Sequence, residues 1–340
     1  MKNESMNDYV EQNNNPLVSV VMSVYNTPKE FLFDAVKSIL NQTYWNFELI
    51  IIDDCSSVEF YNDPLFFDKR IKIYKNDKNG GCGYSFNRGV TLSKGKYIAR
   101  MDSDDISLPT RLEKQVKYME SHPDVVVCGT WFKFFGKKSH EVKRVVDDNE
   151  YYRCCLFFDN VPTLLHPSVM IRKETLIVNN INYDPNLRGA EDYKLWCQLV
   201  KVGIVTNYKE VLMYYRVHEN QVTKSKKYSN YIKNHKVGNE LIKELGVDFN
   251  ENEKELFFNY LNSKNYSAIK YARLLDKVIE ANKINKVYDQ EKFRLRVHEQ
   301  WVSVVQHIKN PFKLISFVLS QKGHRKEILK IKIKQLFKRK

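Results

Sequence analysis

KYIARMDSDD, residues 96–105, joins an apolar run typical of a buried strand to a turn that carries three aspartates. Pro109 follows shortly afterwards and favours the first turn of a new helix. Carboxylates spaced like Asp102 and Asp104 on a turning backbone can face one hard cation, because Mg²⁺ and Mn²⁺ prefer oxygen ligands. An acidic turn can also cap the following helix, so the spacing alone leaves a metal site and a simple cap both open.

The same order of strand, turn and helix recurs upstream. Residues 17–25 form an apolar run that precedes a helical pattern over 28–40, and a second run over 47–52 ends at Asp53 and Asp54. Short apolar strands that alternate with helices predict a parallel sheet covered on both faces, and such sheets bind ligands beyond the carboxyl ends of their strands. The sequence therefore predicts an α/β fold with both acidic clusters at one sheet edge.

Three further polar segments have weaker signals of their own. The glycine-rich turn at 80–83 lacks the G-x-G-x-x-G order of dinucleotide-binding proteins, which disfavours a dehydrogenase. Glu191 and Asp192 open a predicted helix, where the helix dipole alone stabilises acids and where one carboxylate could also serve as a general base. His218 follows the last clear strand, a position at which a lone histidine is more often structural than a ligand.

The chain organisation follows from shifts in pattern and composition. After about residue 124 the strands read as a mixed rather than a parallel sheet, and from about residue 224 Lys, Asn, Glu and Tyr recur with helical periodicity. We expect a disordered lead-in over 1–15, a catalytic domain over 16–223 and a helical region over 224–340. No apolar stretch approaches the roughly 20 residues of a membrane-spanning helix and the start lacks a signal sequence, so we expect a cytoplasmic protein.

The net charge of +14 is concentrated at the end of the chain. Residues 309–340 contain eleven Lys and Arg side chains against Glu327 as their one acidic residue, and the apolar residues of 328–337 can share one helical face. This pattern favours a peripheral position on an anionic membrane surface. A solvated helical terminus and nucleic acid binding are alternatives, although nucleic acid would leave the acidic clusters without a use.

Six segments, taken together and in order, resemble glycosyltransferase family 2 of the GT-A fold. Any one of them is unspecific, whereas the ordered set is highly specific and covers about residues 17–223. The segments are VSVVMSVYN (18–26), SILNQTYWNFELIIIDDCSS (38–57), NGGCGYSFNRGVTLSKGKYIARMDSDDISLPTRLEKQ (79–115), HPSVMIRK (166–173), GAEDYKLWCQL (189–199) and YRVHENQVT (215–223).

The resemblance implies a donor and metal site. Asp54, with Asp53 beside it, matches the acid that holds the uracil and ribose side of a nucleotide-sugar, and Asn87 lies in a donor-binding segment. Asp104 matches the metal-binding acid of the family's D-x-D motif, and Asp102 its partner near the ribose and the metal. The implied cofactor is Mn²⁺ or Mg²⁺.

The resemblance also implies residues for the acceptor side and the diphosphate. Asp192 matches the family's catalytic base, and His218 falls where related enzymes place a metal- or diphosphate-contacting histidine. His166, Glu191 and Arg216 are further candidates for contacts with the acceptor or the diphosphate.

Two departures from the family pattern stand out. Cys55 replaces a common glycine, which we expect to alter only a turn, and Phe86 replaces a common arginine before Asn87, which puts a phosphate contact from that helix in doubt.

The implied activity is inverting transfer of a hexose from a UDP-sugar to an acceptor hydroxyl. From family context the acceptor is a lipid-linked oligosaccharide of O-antigen or capsule synthesis, extended on the cytoplasmic face of the cell membrane. A nucleotidyltransferase could share the sheet and the acidic site but has no use for Glu191 and Asp192. An inactive regulator that binds nucleotide-sugars is disfavoured by the intact acids, and we expect no nucleic acid partner.

Overall fold

The computed structural model describes residues 15–137, 139–144, 146–158, 164–218, 227–259 and 267–308. Most of the predicted lead-in and the whole basic segment over 309–340 lie outside these ranges. The chain divides into two compact units, of which the first comprises residues 1–149 and 161–233 and the second comprises residues 150–160 and 234–340.

The first unit is built on a sheet to which the described residues contribute nine strands. Their order across the sheet is β3-β2-β1-β4-β8-β6-β9-β5, and β7 pairs with β6. The strands are β1 Val18–Val24, β2 Phe47–Asp53, β3 Ile71–Lys75, β4 Tyr97–Asp102, β5 Ile106–Ser107, β6 Val125–Gly136, β7 His140–Val142, β8 Met170–Arg172 and β9 Ile204–Val217.

The strand register brings the acidic segments to one edge. β1, β2, β3 and β4 run parallel, with Val24 paired to Asp53 and Ser23 paired to Asp102. The short strand β8 then pairs antiparallel with both β4 and β6, which makes the sheet mixed. The predicted α/β fold with a mixed sheet and a shared carboxyl edge is confirmed.

Ten helices lie within the described residues. They are α1 Lys29–Leu40, α2 Cys82–Leu92, α3 Arg111–Ser121, α4 Asn149–Phe158, α5 Lys173–Val178, α6 Glu191–Leu199, α7 Lys227–Glu244, α8 Glu251–Asn259, α9 Ala268–Asn285 and α10 Gln290–His307. No helix in the part of the chain that the structure describes is both long and apolar enough to cross a membrane.

The apolar sequence patterns account for the core of the first unit. All seven residues of β2 are buried, as expected for a parallel strand with helices on both faces. In α1 the buried side chains are Leu32, Ala35, Val36 and Ile39, whose helical spacing places them on the face that packs against the sheet.

The second unit is helical and includes α4 together with α7 to α10. Phe157 of α4 lies within its aromatic core, with ring centroids 5.9 Å from Phe257, 5.5 Å from Tyr288 and 5.4 Å from Phe293. The sequence predicted no helix over 149–158 and included these residues in the catalytic domain over 16–223. In the structure, residues 150–158 belong to the helical unit instead, where the buried side chain of Phe157 packs.

Candidate active site

Three carboxylates of the turn after β4 lie close together. Single oxygens of Asp102, Asp104 and Asp105 all lie within 4.8 Å of one another, at the carboxyl edge of the sheet. Oxygen ligands at this separation suit a hard divalent cation. The D-x-D spacing predicted Asp102 and Asp104 as metal ligands but did not include Asp105, which directly follows them.

Asp105 is the most deeply buried of the three acids, with 1% of its surface exposed. Its Oδ1 accepts a hydrogen bond from the backbone N–H of Arg216 at 2.9 Å, which ties the turn to the end of β9. Its Oδ2 has no hydrogen-bond partner among the described residues. Burial, followed by the charges of Asp104 and Asp102, raises the pKa of Asp105 well above its ordinary value, so a cation nearby would favour its charged form.

His218 directly follows β9 and contacts the same turn. His218 Nε2 lies 2.8 Å from Asp104 Oδ2, and the His218 ring packs against Phe31 with centroids 5.3 Å apart. Burial and then the charge of Asp102 raise the pKa of Asp104, and the contact with His218 opposes that rise. The predicted metal residues Asp102, Asp104 and His218 are therefore neighbours.

Arg216, a candidate for contacts with the acceptor or the diphosphate, lies against the acidic turn. Its Nε donates to the carbonyl oxygen of Asp104 at 2.7 Å, and its guanidinium also reaches Asp34 at 2.9 Å. The same group lies over the rings of Phe31 and Phe135, with its Cζ 4.2 and 4.5 Å from their centroids. These contacts hold Arg216 against the acidic turn, and its proposed role is to orient that turn.

Asp53 and Asp54, predicted to bind the donor, already accept several protein hydrogen bonds. The two oxygens of Asp53 accept from the Ser56 N–H and the Tyr61 hydroxyl, each at 2.8 Å. Asp54 accepts from the N–H groups of Gly80 and Gly81 at 2.9 and 2.7 Å.

Asp54 therefore fixes the glycine-rich turn in front of α2. Gly81 has φ +86, and a Cβ added there would lie 2.4 Å from Arg188 Nε. The Arg188 guanidinium also donates to Asn79 Oδ1. The glycines are needed here for backbone conformation and close approach. The turn was predicted from the sequence, but its hydrogen bonds to Asp54 were not.

Asn87 of α2 fixes a tyrosine. Its side-chain amide donates to the Tyr183 carbonyl at 2.8 Å and its carbonyl accepts from the Tyr183 N–H at 2.9 Å. The Tyr183 hydroxyl is hydrogen-bonded to His166 Nε2. Burial and then the Arg100 charge lower the pKa of His166 well below its ordinary value, which favours the neutral ring. Asn87 and His166 therefore converge on Tyr183, which the sequence analysis did not identify.

The acids at the start of α6 influence each other's charge. Burial, followed by the charge of Glu191, raises the pKa of Asp192 to about 6. Asp192 Oδ1 accepts from the N–H of Tyr193 at 2.8 Å, and Glu191 accepts from the N–H of Gly189. A carboxylate with this pKa is ionised at neutral pH yet basic enough to take up a proton efficiently.

Comparison with known proteins agrees with the resemblance seen in the sequence. The profile of the family described as Glycosyl transferase family 2 matches residues 19–177. An uncharacterized glycosyltransferase of Methanocaldococcus jannaschii is 35% identical over 64% of this chain and 78% of its own length. The O-antigen biosynthesis glycosyltransferase WbnJ of Escherichia coli is 34% identical over 62% of this chain and 83% of its own length.

A solved structure supports the same conclusion for the fold. S. aureus TarS 1–349, crystallised in complex with UDP-GlcNAc, matches with a TM-score of 0.56 and 16% identity over 83% of this chain and 91% of that chain. The GT-A fold expected from the resemblance is thereby confirmed. Because relatives of 34–35% identity match over 78–83% of their own length and the family profile matches the same part of the chain, the chain belongs to glycosyl transferase family 2.

Proposed function

We propose that this glycosyltransferase moves a hexose from a UDP-sugar to an acceptor hydroxyl with inversion at the anomeric carbon. The observation that carries the proposal is the cluster of Asp102, Asp104 and Asp105 at the sheet edge where Asp54 fastens the glycine-rich turn. TarS, which shares the fold, was crystallised with UDP-GlcNAc, and this supports a UDP-sugar as the donor.

The acidic cluster fits Mn²⁺ or Mg²⁺. Asp104 and Asp102 are proposed as ligands. His218, whose Nε2 contacts Asp104 Oδ2, is proposed as a further residue of the metal site. A divalent cation bound there supplies positive charge that stabilises the departing nucleotide diphosphate. Asp105 and Arg216 hold the turn and the end of β9 together, and so keep these ligands in place.

Asp192 is the proposed base. It takes the proton of the acceptor hydroxyl while that oxygen attacks the anomeric carbon from the side opposite the diphosphate. The bond from the anomeric carbon to the diphosphate oxygen breaks and its electron pair leaves with UDP, so the product has the opposite anomeric configuration. Glu191 lies beside Asp192, and His166 is hydrogen-bonded to Tyr183. Both residues are proposed to line the acceptor side.

The acidic pair after β2 shapes the donor site in this proposal. Asp54 holds the N–H groups of Gly80 and Gly81, and Asp53 fixes the Ser56 turn and Tyr61. Asn87 contributes through Tyr183. These three residues act on the donor by building the walls of its site.

The acceptor and the cellular position extend the proposal. WbnJ is named for O-antigen biosynthesis, and AmsE of Erwinia amylovora, 33% identical over 82% of its length, for amylovoran biosynthesis. These names support a lipid-linked saccharide of a bacterial surface polysaccharide as the acceptor. The basic segment over 309–340 supports a cytoplasmic enzyme bound peripherally to the inner face of the cell membrane.

A donor screen tests the proposal. A panel of UDP- and GDP-sugars is incubated with the protein, Mn²⁺ and a saccharide acceptor, release of the nucleotide diphosphate is measured, and the anomeric configuration of the glycoside product is read by NMR. Turnover of one UDP-hexose that stops with a chelator and gives the inverted product is expected. Retention of configuration would contradict the role of Asp192, and binding of the donor without any turnover would indicate a regulator.

A further inference from the structure

A buried arginine lies directly behind the acidic turn. Arg100 precedes Asp102 by two residues in β4, so the two side chains lie on the same face of the strand. Arg100 is 4% exposed, and its Nη1 lies 2.6 Å from Asp102 Oδ1. Its backbone N–H donates to the Val169 carbonyl at 2.9 Å and its carbonyl accepts from Arg111 at 2.8 Å, so the backbone of Arg100 is also fixed.

The guanidinium also contacts the start of α2. Arg100 Nη2 donates to Cys82 Sγ at 3.1 Å, and Cys82 is the first residue of the helix that follows the turn fastened by Asp54. One side chain therefore joins the turn that carries the proposed metal ligands to the helix beside the proposed donor site.

The same charge acts on the proposed base. Asp192 faces the carboxylate of Glu191 and the N–H of Tyr193 from its own helix, the Arg100 charge from β4 and the hydroxyl of Tyr183. The positive charge of Arg100 favours the ionised form of Asp192, whereas burial and Glu191 oppose it.

A buried ion pair of this kind is weak evidence for stability. Removing a cation from water is costly, and an apolar side chain of similar volume often serves the fold as well or better. A side chain that is costly to bury and that contacts both parts of the site is better explained by the geometry that it imposes.

We propose that Arg100 is a positioning residue for the transfer reaction, which holds the Asp102 carboxylate in the orientation that the divalent cation requires and fixes the start of α2 beside it. The inference rests on the proposed function, since it assigns a role within that site. A planar fork can hold two partners at once, and lysine lacks this property.

Calorimetry with Mn²⁺ in the presence of UDP tests this role without any turnover. For Arg100→Met we expect Mn²⁺ to bind about 10–100-fold more weakly, as is usual when a partner that orients a ligand is removed. Arg100→Lys should fall between the wild type and Arg100→Met. The matched control is Arg172→Met, because Arg172 contacts Tyr97 and two backbone carbonyls of Met119 and Val125, and it should bind Mn²⁺ like the wild type.

The pH profile of kcat/KM gives a second readout that loss of stability alone would not change. In Arg100→Met the acid limb should move to higher pH, because Asp192 loses a nearby positive charge, while Arg100→Lys should leave the limb in place. If Arg100→Met does not fold, Arg100→Lys decides the matter: weaker Mn²⁺ binding at an unchanged melting temperature supports the inference.

The contrary outcomes are distinct. Wild-type Mn²⁺ affinity in a folded Arg100→Met, or in Arg100→Lys if only that variant folds, overturns the positioning role and leaves the proposed function intact. An equal loss in Arg172→Met also overturns it, since the effect would then be general. A wild-type protein that does not bind Mn²⁺ with UDP removes the proposed function and this inference with it.

Discussion

The environment of Asp192 gives its carboxyl a higher pKa than that of a surface acid. With its pKa raised to about 6, the proposed base should be ionised above that pH, so transfer should fall as the pH drops below about 6. Asp192→Asn should lower kcat by about 10²–10⁴-fold, the usual contribution of a general base. The affinity for Mn²⁺ and UDP should remain, and wild-type turnover in this variant would remove Asp192 from the role.

Stability gives an independent check on the same residue. A carboxyl whose pKa is higher in the folded than in the unfolded protein binds more protons when folded, so its contribution to the free energy of unfolding falls as the pH rises between the two values. Asp192→Asn should therefore melt at a higher temperature than the wild type at pH 8, and the difference should shrink toward pH 4. A gain independent of pH would mean that Asp192 is not strained by burial.

Asp104 is the residue on which the metal proposal depends. Asp104→Ala should weaken Mn²⁺-dependent UDP binding by about 100-fold or more, because a ligand contributes at least as much as the partners that orient it. Calorimetry with and without Mn²⁺ measures this. Asp68→Ala is a matched control, since Asp68 pairs with Arg70 ahead of β3, at the opposite end of that strand. Equal Mn²⁺ affinity in the two variants would contradict a metal ligand at position 104.

At the scale of elements, the glycine-rich turn before α2 connects the acidic pair to the donor side. Gly81→Ala places a Cβ at φ +86 and against Arg188, and we expect it to lower the free energy of unfolding by about 1–2 kcal/mol. It should also weaken UDP binding, because the N–H of Gly81 would leave Asp54. Thermal melts and UDP titration measure the two effects. Unchanged UDP affinity in a destabilised protein would separate this turn from the donor site.

The elements were easier to predict from the sequence than their contacts. Apolar runs and their flanking turns gave β1, β2 and β4 nearly to the residue, because a strand covered on both faces has a continuous apolar pattern. The site residues on strand ends followed from that pattern. The bonds from Asp54 to Gly80 and Gly81, and from Asn87 to Tyr183, could not be predicted, because they join residues far apart in sequence through backbone groups that carry no sequence signal.

Arg100 and Asp105 could have been found with the signals at hand. A charged residue two positions before Asp102 in an apolar strand must lie on the same face, and Asp105 continues an acidic run. The D-x-D spacing by itself predicts only the carboxylates of Asp102 and Asp104. Buried charges in a strand that is otherwise apolar are therefore worth treating as site candidates.

At the scale of the whole molecule, hydrophobic patterns in the sequence do not predict which of the two units a segment belongs to. Residues 149–158 were not predicted as a helix, and even a helical pattern identifies an apolar face without identifying the surface that covers it. Phe157 packs with Phe257 and Phe293, about a hundred residues or more further along the chain. The boundary predicted near residue 224 compares with a division after residue 233 in the structure, which also assigns residues 150–160 to the second unit.

The uneven charge of the chain leads to the last prediction. Residues 309–340 carry eleven basic groups and one acid, so they hold ten of the fourteen net positive charges and leave +4 for residues 1–308. A protein shortened to residue 308 should lose binding to vesicles that contain anionic lipid, since each Lys or Arg near such a surface contributes about 1 kcal/mol. Cosedimentation with anionic and with neutral vesicles measures this.

The salt dependence of vesicle binding and the ligand affinity of the shortened protein separate membrane attachment from the function of the site. Binding of the full-length protein should weaken as ionic strength rises, because the Debye length falls to about 3 Å at 1 M salt. The shortened protein should keep its Mn²⁺ and UDP affinity, because every residue proposed for the site precedes residue 219. Equal binding of both proteins to anionic vesicles would place the attachment elsewhere, and loss of UDP binding on shortening would show that the basic segment serves the site itself.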